Sequence, residues 1–300
     1  MAHGPILPTS YLDLGLAGLA RAHDEGDANR GHYGAGLIAA YLLSADHPLP
    51  AATLAGLHEQ VERFIAHNQR FLTPYPNSAP RVGSTEARLI AALATNVDRL
   101  CAIGHNVIFA VMAIRALRRL GRDPGERQTA SLCALITDLS SPVTSAMGID
   151  LASLDVAAMV PYRDGSEVAV TALREMPKFV RVYAGLFAGW VGHVVTLGHA
   201  VVELDRLGHS DLARRAHAPH RLLVAQAALL HRHPPDGLVE NGRVPWSPLQ
   251  PEFWQRDYAG NNWAFAHTCK YPLAYLALRP AITDAQEQGR LDEAMTRIWN

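Results

Sequence analysis

Cysteine and charge are both scarce in this sequence. The three cysteines, Cys101, Cys133 and Cys269, are an odd number and form no CxxC pair. This pattern is typical of reduced thiols in the core of a cytoplasmic protein and gives no support to a disulfide framework. We therefore expect a cytoplasmic protein.

Charged residues make up only 18% of the chain, whereas hydrophobic residues make up 49%. The formal net charge is -1, from 27 basic and 28 acidic residues, and no long run of one sign occurs. Proteins that bind nucleic acid or an anionic membrane surface carry basic patches, so the charge pattern argues against both partners. The low charge content instead favours a large core or a buried interface in a homo-oligomer.

The sequence has no recognisable targeting segment. Its first ten residues, MAHGPILPTS, lack the basic and continuous apolar regions of a signal peptide. One stretch, residues 182–204, is apolar enough to be a transmembrane helix. It also contains two histidines and Glu203, and no second apolar stretch accompanies it. We expect a central helix buried by its neighbours, with a membrane span as the alternative.

Apolar residues recur at helical spacing along most of the chain, and no run alternates as a strand does. The sequence predicts helices over residues 14–23, 33–43, 52–71, 85–103, 106–120, 129–139, 168–175, 180–207, 211–230, 263–278 and 283–299. Ser84 is the expected cap of the fourth of these. The predicted fold class is all-α: a single large domain over residues 1–300, with roughly ten to twelve helices arranged as a toroid or bundle.

Two segments do not fit a helical pattern. Residues 140–164 mix apolar residues with polar residues, proline and glycine, and residues 234–262 are rich in proline, glycine and aromatic residues. A loop as long as the second is uncommon in a compact domain unless it builds or covers a site. Aromatic side chains in loops tend to pack against something, so we expect it to cover a site. The alternative is a connection stiffened by proline.

Four histidines stand at comparable positions on apolar helices. His32, His105 and His193 each follow a glycine near the head of a helix, and His267 lies within AFAHTCKYPLAYLAL. The intervals of 73, 88 and 74 residues are typical of repeated helical pairs. Neutral imidazole is a common transition-metal ligand, and glycine allows helices to approach closely. We predict that the four imidazoles share a metal ion, although a lone histidine on an apolar helix is more often a hydrogen-bonded core residue.

His199 competes with His193 for a place in this site. The two residues are six apart, about 240° around a helix, so they cannot both point at one ion. The spacing and the preceding glycine favour His193. His199 and Glu203 are four residues apart on one helix face, and we expect them to form a supporting pair beside the metal ligands. Glu203 is therefore a candidate catalytic residue.

Lys270 lies three residues after His267, on the same face of the predicted helix. A buried lysine is costly, so it usually has a lowered pKa or a chemical modification. Beside a metal ion its amine could take up CO₂ and form a carbamate, which adds an anionic oxygen ligand to the imidazoles. The alternative is that Lys270 faces solvent. Imidazole ligands alone suit copper, zinc or iron, and one added oxygen donor favours iron or manganese.

These residues resemble those of the questin oxidase-like family of helical oxidoreductases. The similarity lies in the segment NRGHYG around His32, in Gly104-His105-Asn106, in the helix from His193 to Glu203, and in the segment HTCK that ends at Lys270. Members of this family oxidise aromatic polyketides such as anthraquinones, and some use a non-haem iron bound by histidines and a carboxylated lysine.

The resemblance implies a ligand set of His32, His105, His193 and His267, with Lys270 as the modified lysine. Thr196 stands where we expect a further histidine, which leaves open whether His193 or His199 is the ligand.

Pattern and resemblance together predict a metal-dependent oxygenase or oxidase. The expected cofactor is iron, with manganese and zinc as alternatives, and the expected partners are O₂ and an aromatic or polycyclic small molecule bound in a water-poor pocket. No GxGxxG follows a strand, so we expect no Rossmann site for NADPH. Two other functions fit the pattern. One is a metal-dependent hydrolase or cyclase that uses the ion as a Lewis acid, and the other is a non-catalytic helical-repeat scaffold.

Overall fold

The structure is a computed structural model that describes residues 6–76, 83–146, 148–151, 154, 161–178, 186–234, 236–237, 239–240, 242–256 and 262–299. Its helices are α1 (Ser10–Asp24), α2 (Gly31–Asp46), α3 (Ala51–His67), α4 (Thr85–Ala94), α5 (His105–Leu120), α6 (Glu126–Asp138), α7 (Gly165–Glu175), α8 (Leu186–Arg206), α9 (Ser210–Arg232), α10 (Pro251–Trp254), α11 (Asn262–Leu278) and α12 (Ala285–Met295). Within these residues the prediction of an all-α fold with ten to twelve helices is confirmed.

The strand content of the described residues is one hairpin. Strands β1 (Ser145–Ala146) and β2 (Ile149–Asp150) pair antiparallel, with Ser145 opposite Asp150. The hairpin lies in the segment 140–164 that did not fit a helical pattern.

Most helices lie within a few residues of their predicted bounds, and α4 is the main exception. The predicted helix 85–103 is wrong after Ala94, where α4 ends and a turn follows. Ala102 and Ile103 have positive φ angles of 45° and 60°, which no right-handed helix contains. The predicted cap is present, since the Ser84 hydroxyl accepts a hydrogen bond from the Ala87 N–H at 3.4 Å. Helix α8 is described from Leu186, and the earlier part of the predicted helix 180–207 lies outside the described residues.

The chain divides into two compact units, each made of three stretches of sequence. The first comprises Met1–Leu93, Phe109–Asp138 and Pro245–Leu273, and the second comprises Ala94–Ile108, Leu139–Val244 and Ala274–Asn300. The single domain over residues 1–300 stays a prediction.

In the first unit, α1 packs along α2 and α6. Helix α2 is apolar on nearly every side, and its residues from Gly31 to Ser44 are buried with the exception of Tyr33. A helix that is apolar all round is covered on all sides by its neighbours. His32, in the first turn of α2, therefore lies inside this unit.

The proline-rich segment 234–262 contains a short helix, α10, that packs on α3 within the first unit. Phe253 and Trp254 are buried there, and the Gln60 side chain donates a hydrogen bond to the Trp254 carbonyl at 2.8 Å. This part of the segment therefore packs against α3. Residues 257–261 lie outside the described residues, so a role in covering a site stays a prediction.

In the second unit, α8 packs between α7 and α9. His220 of α9 is fully buried against α8, where its Nε2–H donates a hydrogen bond to the Val194 carbonyl at 3.0 Å. Burial lowers the pKa of His220 to about 3, so this imidazole is neutral at physiological pH. Among the described helices of the chain, none is long and apolar enough to span a membrane.

Candidate metal centre

Two of the predicted ligands, His32 and His267, lie together in the first unit. The His32 Nδ1 atom lies 2.7 Å from the Asn29 carbonyl oxygen, and the His267 Nδ1 atom lies 2.8 Å from the Trp263 carbonyl oxygen. The centroids of the two imidazole rings are 4.9 Å apart. A carbonyl oxygen only accepts, so each Nδ1 carries the proton. Each Nε2 is then left with its lone pair, which is the form that binds a metal.

The other two predicted ligands, His105 and His193, lie together in the second unit. His105 is the first residue of α5, and its Nε2 atom is 2.8 Å from the Nε2 atom of His193 on α8. The rings meet edge to face, with centroids 4.6 Å apart. The Nδ1–H of His193 donates to the Gly189 carbonyl, one turn earlier in α8. In the neutral pair, His193 Nε2 is therefore the acceptor and His105 Nε2 the donor.

His32, His105, His193 and His267 form one group, in which one ring nitrogen of each residue lies within 4.8 Å of the others. An ion that binds nitrogen at about 2.1 Å places two ligand atoms about 2.9–3.4 Å apart at right or tetrahedral angles, and about 4.2 Å apart when they are opposite. The His105–His193 distance is close to the lower value. The four histidines could hold a metal ion.

Glycines beside two of these histidines permit close packing, as the sequence indicated. A Cβ atom on Gly31 would lie 2.6 Å from the Phe109 ring, and one on Gly104 would lie 2.8 Å from the Leu197 side chain. Real Cβ atoms do not approach neighbours this closely. Gly104 also has a φ of 87°, which side chains disfavour.

The structure separates His193 from its competitor His199. His193 belongs to the four-histidine group, whereas His199 points to another partner on its own helix. Its Nε2 atom lies 3.8 Å from the Glu203 carboxylate, which is also 2.9 Å from the Arg206 guanidinium. His199 and Glu203 thus share a helix face and are both buried. The catalytic role of Glu203 stays a prediction.

Lys270 is fully buried in the first unit, so the solvent-facing alternative does not describe this side chain. Its Nζ atom has no hydrogen-bond partner among the described residues, and it lies 5.7 Å from the centroid of the Phe109 ring. Burial lowers the pKa of Lys270 to about 7, opposed in part by the neighbouring Cys269. Phe109 also contacts the His32 ring, at a centroid distance of 5.3 Å, so it touches both a predicted ligand and the lysine.

The aromatic surroundings of His32 and His267 include a residue that the sequence analysis did not select. The Trp263 indole lies 4.1 Å from the His32 ring and stacks on the His267 ring at 5.8 Å, measured between centroids. It is 45% exposed, so it forms a wall of the histidine pair that solvent reaches. The sequence did contain a signal for the role of Trp263. It lies four residues before His267, and residues at this spacing share a helix face.

A cavity of about 630 Å³ in the first unit has a different lining. Its walls are residues of α1, the segment 72–76 and the segment 120–128, and they include none of the four histidines. The water-poor substrate pocket expected beside the metal therefore does not correspond to this cavity and stays a prediction.

The comparisons with known proteins give no match to this chain, whether with protein-family models, with curated proteins or with solved structures. Fold and site thus define the chain as an all-α protein with a four-histidine group that could hold a metal ion, in which His32, His105 and His193 are buried and His267 is half-buried. The resemblance to the questin oxidase-like family stays a prediction.

Proposed function

We propose that this chain is a metal-dependent oxygenase or oxidase that acts on an aromatic or polycyclic small molecule. The observation that carries the proposal is the group of four histidines, each with one ring nitrogen within 4.8 Å of the others. Four adjacent imidazoles would not stabilise an ordinary apolar core, because the buried nitrogen atoms of each ring need a hydrogen-bond partner or a metal ion. A bound transition metal satisfies all four at once.

The ligand types support iron as the metal. Neutral imidazole binds iron, copper and zinc, and an added anionic oxygen shifts the preference towards iron or manganese. When bound, iron supplies redox chemistry with O₂. The chain's own contribution is to hold the ligands: the carbonyls of Asn29, Gly189 and Trp263 fix the Nδ1–H atoms of three imidazoles, so their Nε2 atoms are oriented before the metal arrives.

Lys270 is the proposed source of the oxygen ligand. Its amine nitrogen attacks the carbon of CO₂, an N–C bond forms, and one proton leaves to water, which gives an anionic carbamate. Two observations support this step. The amine is fully buried without a hydrogen-bond partner among the described residues, and it shares the Phe109 ring with His32. A carbamate would turn an unpartnered amine into a metal ligand.

The substrate class follows from the family resemblance, and the aromatic surroundings are compatible with it. Phe109 and Trp263 border the His32 ring, and the His32 side chain itself is buried from water. Exclusion of water strengthens the electrostatic interactions inside a site and prevents side reactions of reactive species.

Oxygen uptake tests the proposal. The metal-free protein is loaded with ferrous ion without air, mixed with a hydroxyanthraquinone and ascorbate as reductant, and followed with an oxygen electrode. We expect uptake that depends on the anthraquinone. It should fall at least about 100-fold in His105→Ala and stay unchanged in the control His231→Ala, which lies outside the histidine group. Equal uptake by His105→Ala and His231→Ala would contradict the proposal.

A metal-dependent hydrolase or cyclase is the second candidate, and one observation favours it. The four side chains of the group are all nitrogen donors, a set that suits zinc as a Lewis acid. Under this alternative the zinc-loaded protein converts a substrate without oxygen uptake. Under the main proposal the zinc-loaded protein is inactive, so zinc and iron loading separate the two.

A further inference from the structure

Directly before His105, three consecutive residues adopt left-handed backbone. The φ angles are 45° for Ala102, 60° for Ile103 and 87° for Gly104. Ala102 and Ile103 are the only residues other than glycine with positive φ in the described part of the chain. For a β-branched residue such as Ile103 this conformation is a true outlier, and outliers of this kind persist only where the surroundings impose them.

Backbone hydrogen bonds to the segment 140–143 hold the chain just before Ile103. The Ala102 N–H donates to the Ser141 carbonyl at 3.3 Å, and the Val143 N–H donates to the Leu100 carbonyl at 3.4 Å. Within the run itself, the Gly104 N–H donates to the Cys101 carbonyl at 2.7 Å. The Ile103 side chain is only half-buried, so its packing does not explain the strained backbone.

The run determines where α5 begins. Gly104 lies against Leu197, one helical turn after His193, with no room for a Cβ atom. The next residue, His105, meets the His193 imidazole at 2.8 Å. Asn106 then donates to the Asn96 side-chain oxygen at 3.0 Å, which anchors the beginning of the helix. A change in the backbone at 102–104 would displace His105 before any other predicted ligand.

We propose that the left-handed run Ala102–Gly104 is a positioning device that sets the metal-binding geometry of His105, with Gly104 and Ile103 acting through their backbone alone. This inference rests on the proposed metal site. It explains why strain is kept at the head of this helix: relaxation of Ile103 to a right-handed conformation would separate the two imidazoles.

The test compares variants at both ends of α5. Gly104→Ala adds a Cβ atom against Leu197 at positive φ, so the run must shift and carry His105 with it. The matched control is Gly121→Ala at the other end of the helix, where φ is 63° and no atom lies within 4 Å of the added Cβ. Both variants should lower the melting temperature. We expect a weaker affinity for zinc and ferrous ion, by about 10-fold or more, in Gly104→Ala only.

A third variant, Ile103→Asn, removes the strain without removing the conformation, because asparagine tolerates left-handed backbone. It should melt at a higher temperature than the wild type and bind zinc within about threefold of wild-type affinity. Equal zinc affinity in Gly104→Ala and Gly121→Ala would overturn the proposal. So would a loss in Ile103→Asn as large as that in Gly104→Ala, since the side chain would then be the cause.

A second readout separates this proposal from the metal site itself. The hydrogen bond between the His105 and His193 imidazoles can be followed in metal-free protein by ¹⁵N NMR of the ring nitrogens. It should be lost in Gly104→Ala and kept in Gly121→Ala and Ile103→Asn. If the wild type binds no metal, the proposed function fails, and this readout still decides the positioning role. Retention of the hydrogen bond in Gly104→Ala would refute that role.

Discussion

The imidazoles of His105 and His193 meet nitrogen to nitrogen at 2.8 Å although the residues are 88 positions apart in the chain. One of the two nitrogens must carry a proton for this contact to be a hydrogen bond. A metal ion that bound both nitrogens would displace that proton, so the contact between the two rings is the arrangement that the proposed metal site predicts for two ligands before metal binding.

The assignment of His193 rather than His199 leads to a paired mutation. Both residues lie on α8 and both are buried to the same extent, so alanine at either position removes a similar volume. We expect His193→Ala to lower metal affinity at least about tenfold, whereas His199→Ala leaves metal affinity nearly unchanged and releases Glu203. Isothermal titration with zinc checks the ranking, and circular dichroism checks that both variants remain helical. The reverse ranking would show that His199 is the ligand.

The carbamate on Lys270 should be visible directly. Protein equilibrated with ¹³C-labelled bicarbonate near neutral pH is expected to give a carbamate carbon signal by ¹³C NMR, because the Lys270 amine has no hydrogen-bond partner within the described ranges and can react with CO₂. The signal should vanish in Lys270→Met. Lys178, the other lysine of the chain, pairs with Glu175 at the surface, so Lys178→Met is the matched control. A carbamate signal that survives in Lys270→Met but not in Lys178→Met would contradict the assignment.

Trp263 should report on metal binding. Its indole lies 4.1 Å from the His32 ring, and open-shell ions such as cobalt quench indole fluorescence at short range. We expect cobalt to quench part of the emission of the wild type and of Trp246→Phe, which replaces another exposed tryptophan. The quenched part should be absent in Trp263→Phe. Equal quenching in the two variants would place the metal away from His32.

His220 predicts a dependence of stability on pH. Burial lowers its pKa to about 3, below the ordinary value of 6.5, so the unfolded state binds the additional proton between these values. Its contribution to stability is therefore complete above about pH 6.5 and is lost as the pH falls towards 3. Between about pH 7.5 and 4.5 we expect the wild type to lose roughly 2–3 kcal/mol more unfolding free energy than His220→Gln, which cannot titrate.

Urea unfolding at the two pH values measures this difference, and the other titrating groups cancel in the comparison. The glutamine side chain can still donate a hydrogen bond to the Val194 carbonyl, so the two proteins differ mainly in the titratable ring. Parallel acid dependence of the two proteins would show that His220 does not titrate on unfolding.

The helices could be predicted from the sequence because their apolar periodicity is strong. Helix α2, apolar on nearly all sides, and α5, which ends at Leu120 just before Gly121 with its positive φ, both lie close to their predicted bounds. The prediction was wrong at residues 95–103. The local sequence gives no signal for the left-handed backbone at Ala102 and Ile103, and this part of the chain is hydrogen-bonded to Ser141 and Val143, which are distant in sequence.

The candidate site, too, could be predicted from the sequence only in part. The regular intervals between Gly-His pairs pointed to His32, His105 and His193, and the equivalent position pointed to His267, because each signal is local to one helix. The contact of Trp263 with His32 depends on how two helices pack, and this packing cannot be predicted from the sequence of either helix alone. The buried environment of Lys270 also comes from packing, and the sequence could offer it only as one of two alternatives.

Elemental analysis of the purified protein measures whether the four histidines hold a metal ion. The protein is expressed with iron, manganese and zinc in the medium, purified without a tag and dialysed before measurement. We expect about one transition-metal ion per chain in the wild type, and far less in the double variant His32→Ala/His193→Ala, which removes two of the four predicted ligands. A wild type without bound metal, or a double variant that retains the same metal content, would contradict the proposed metal site.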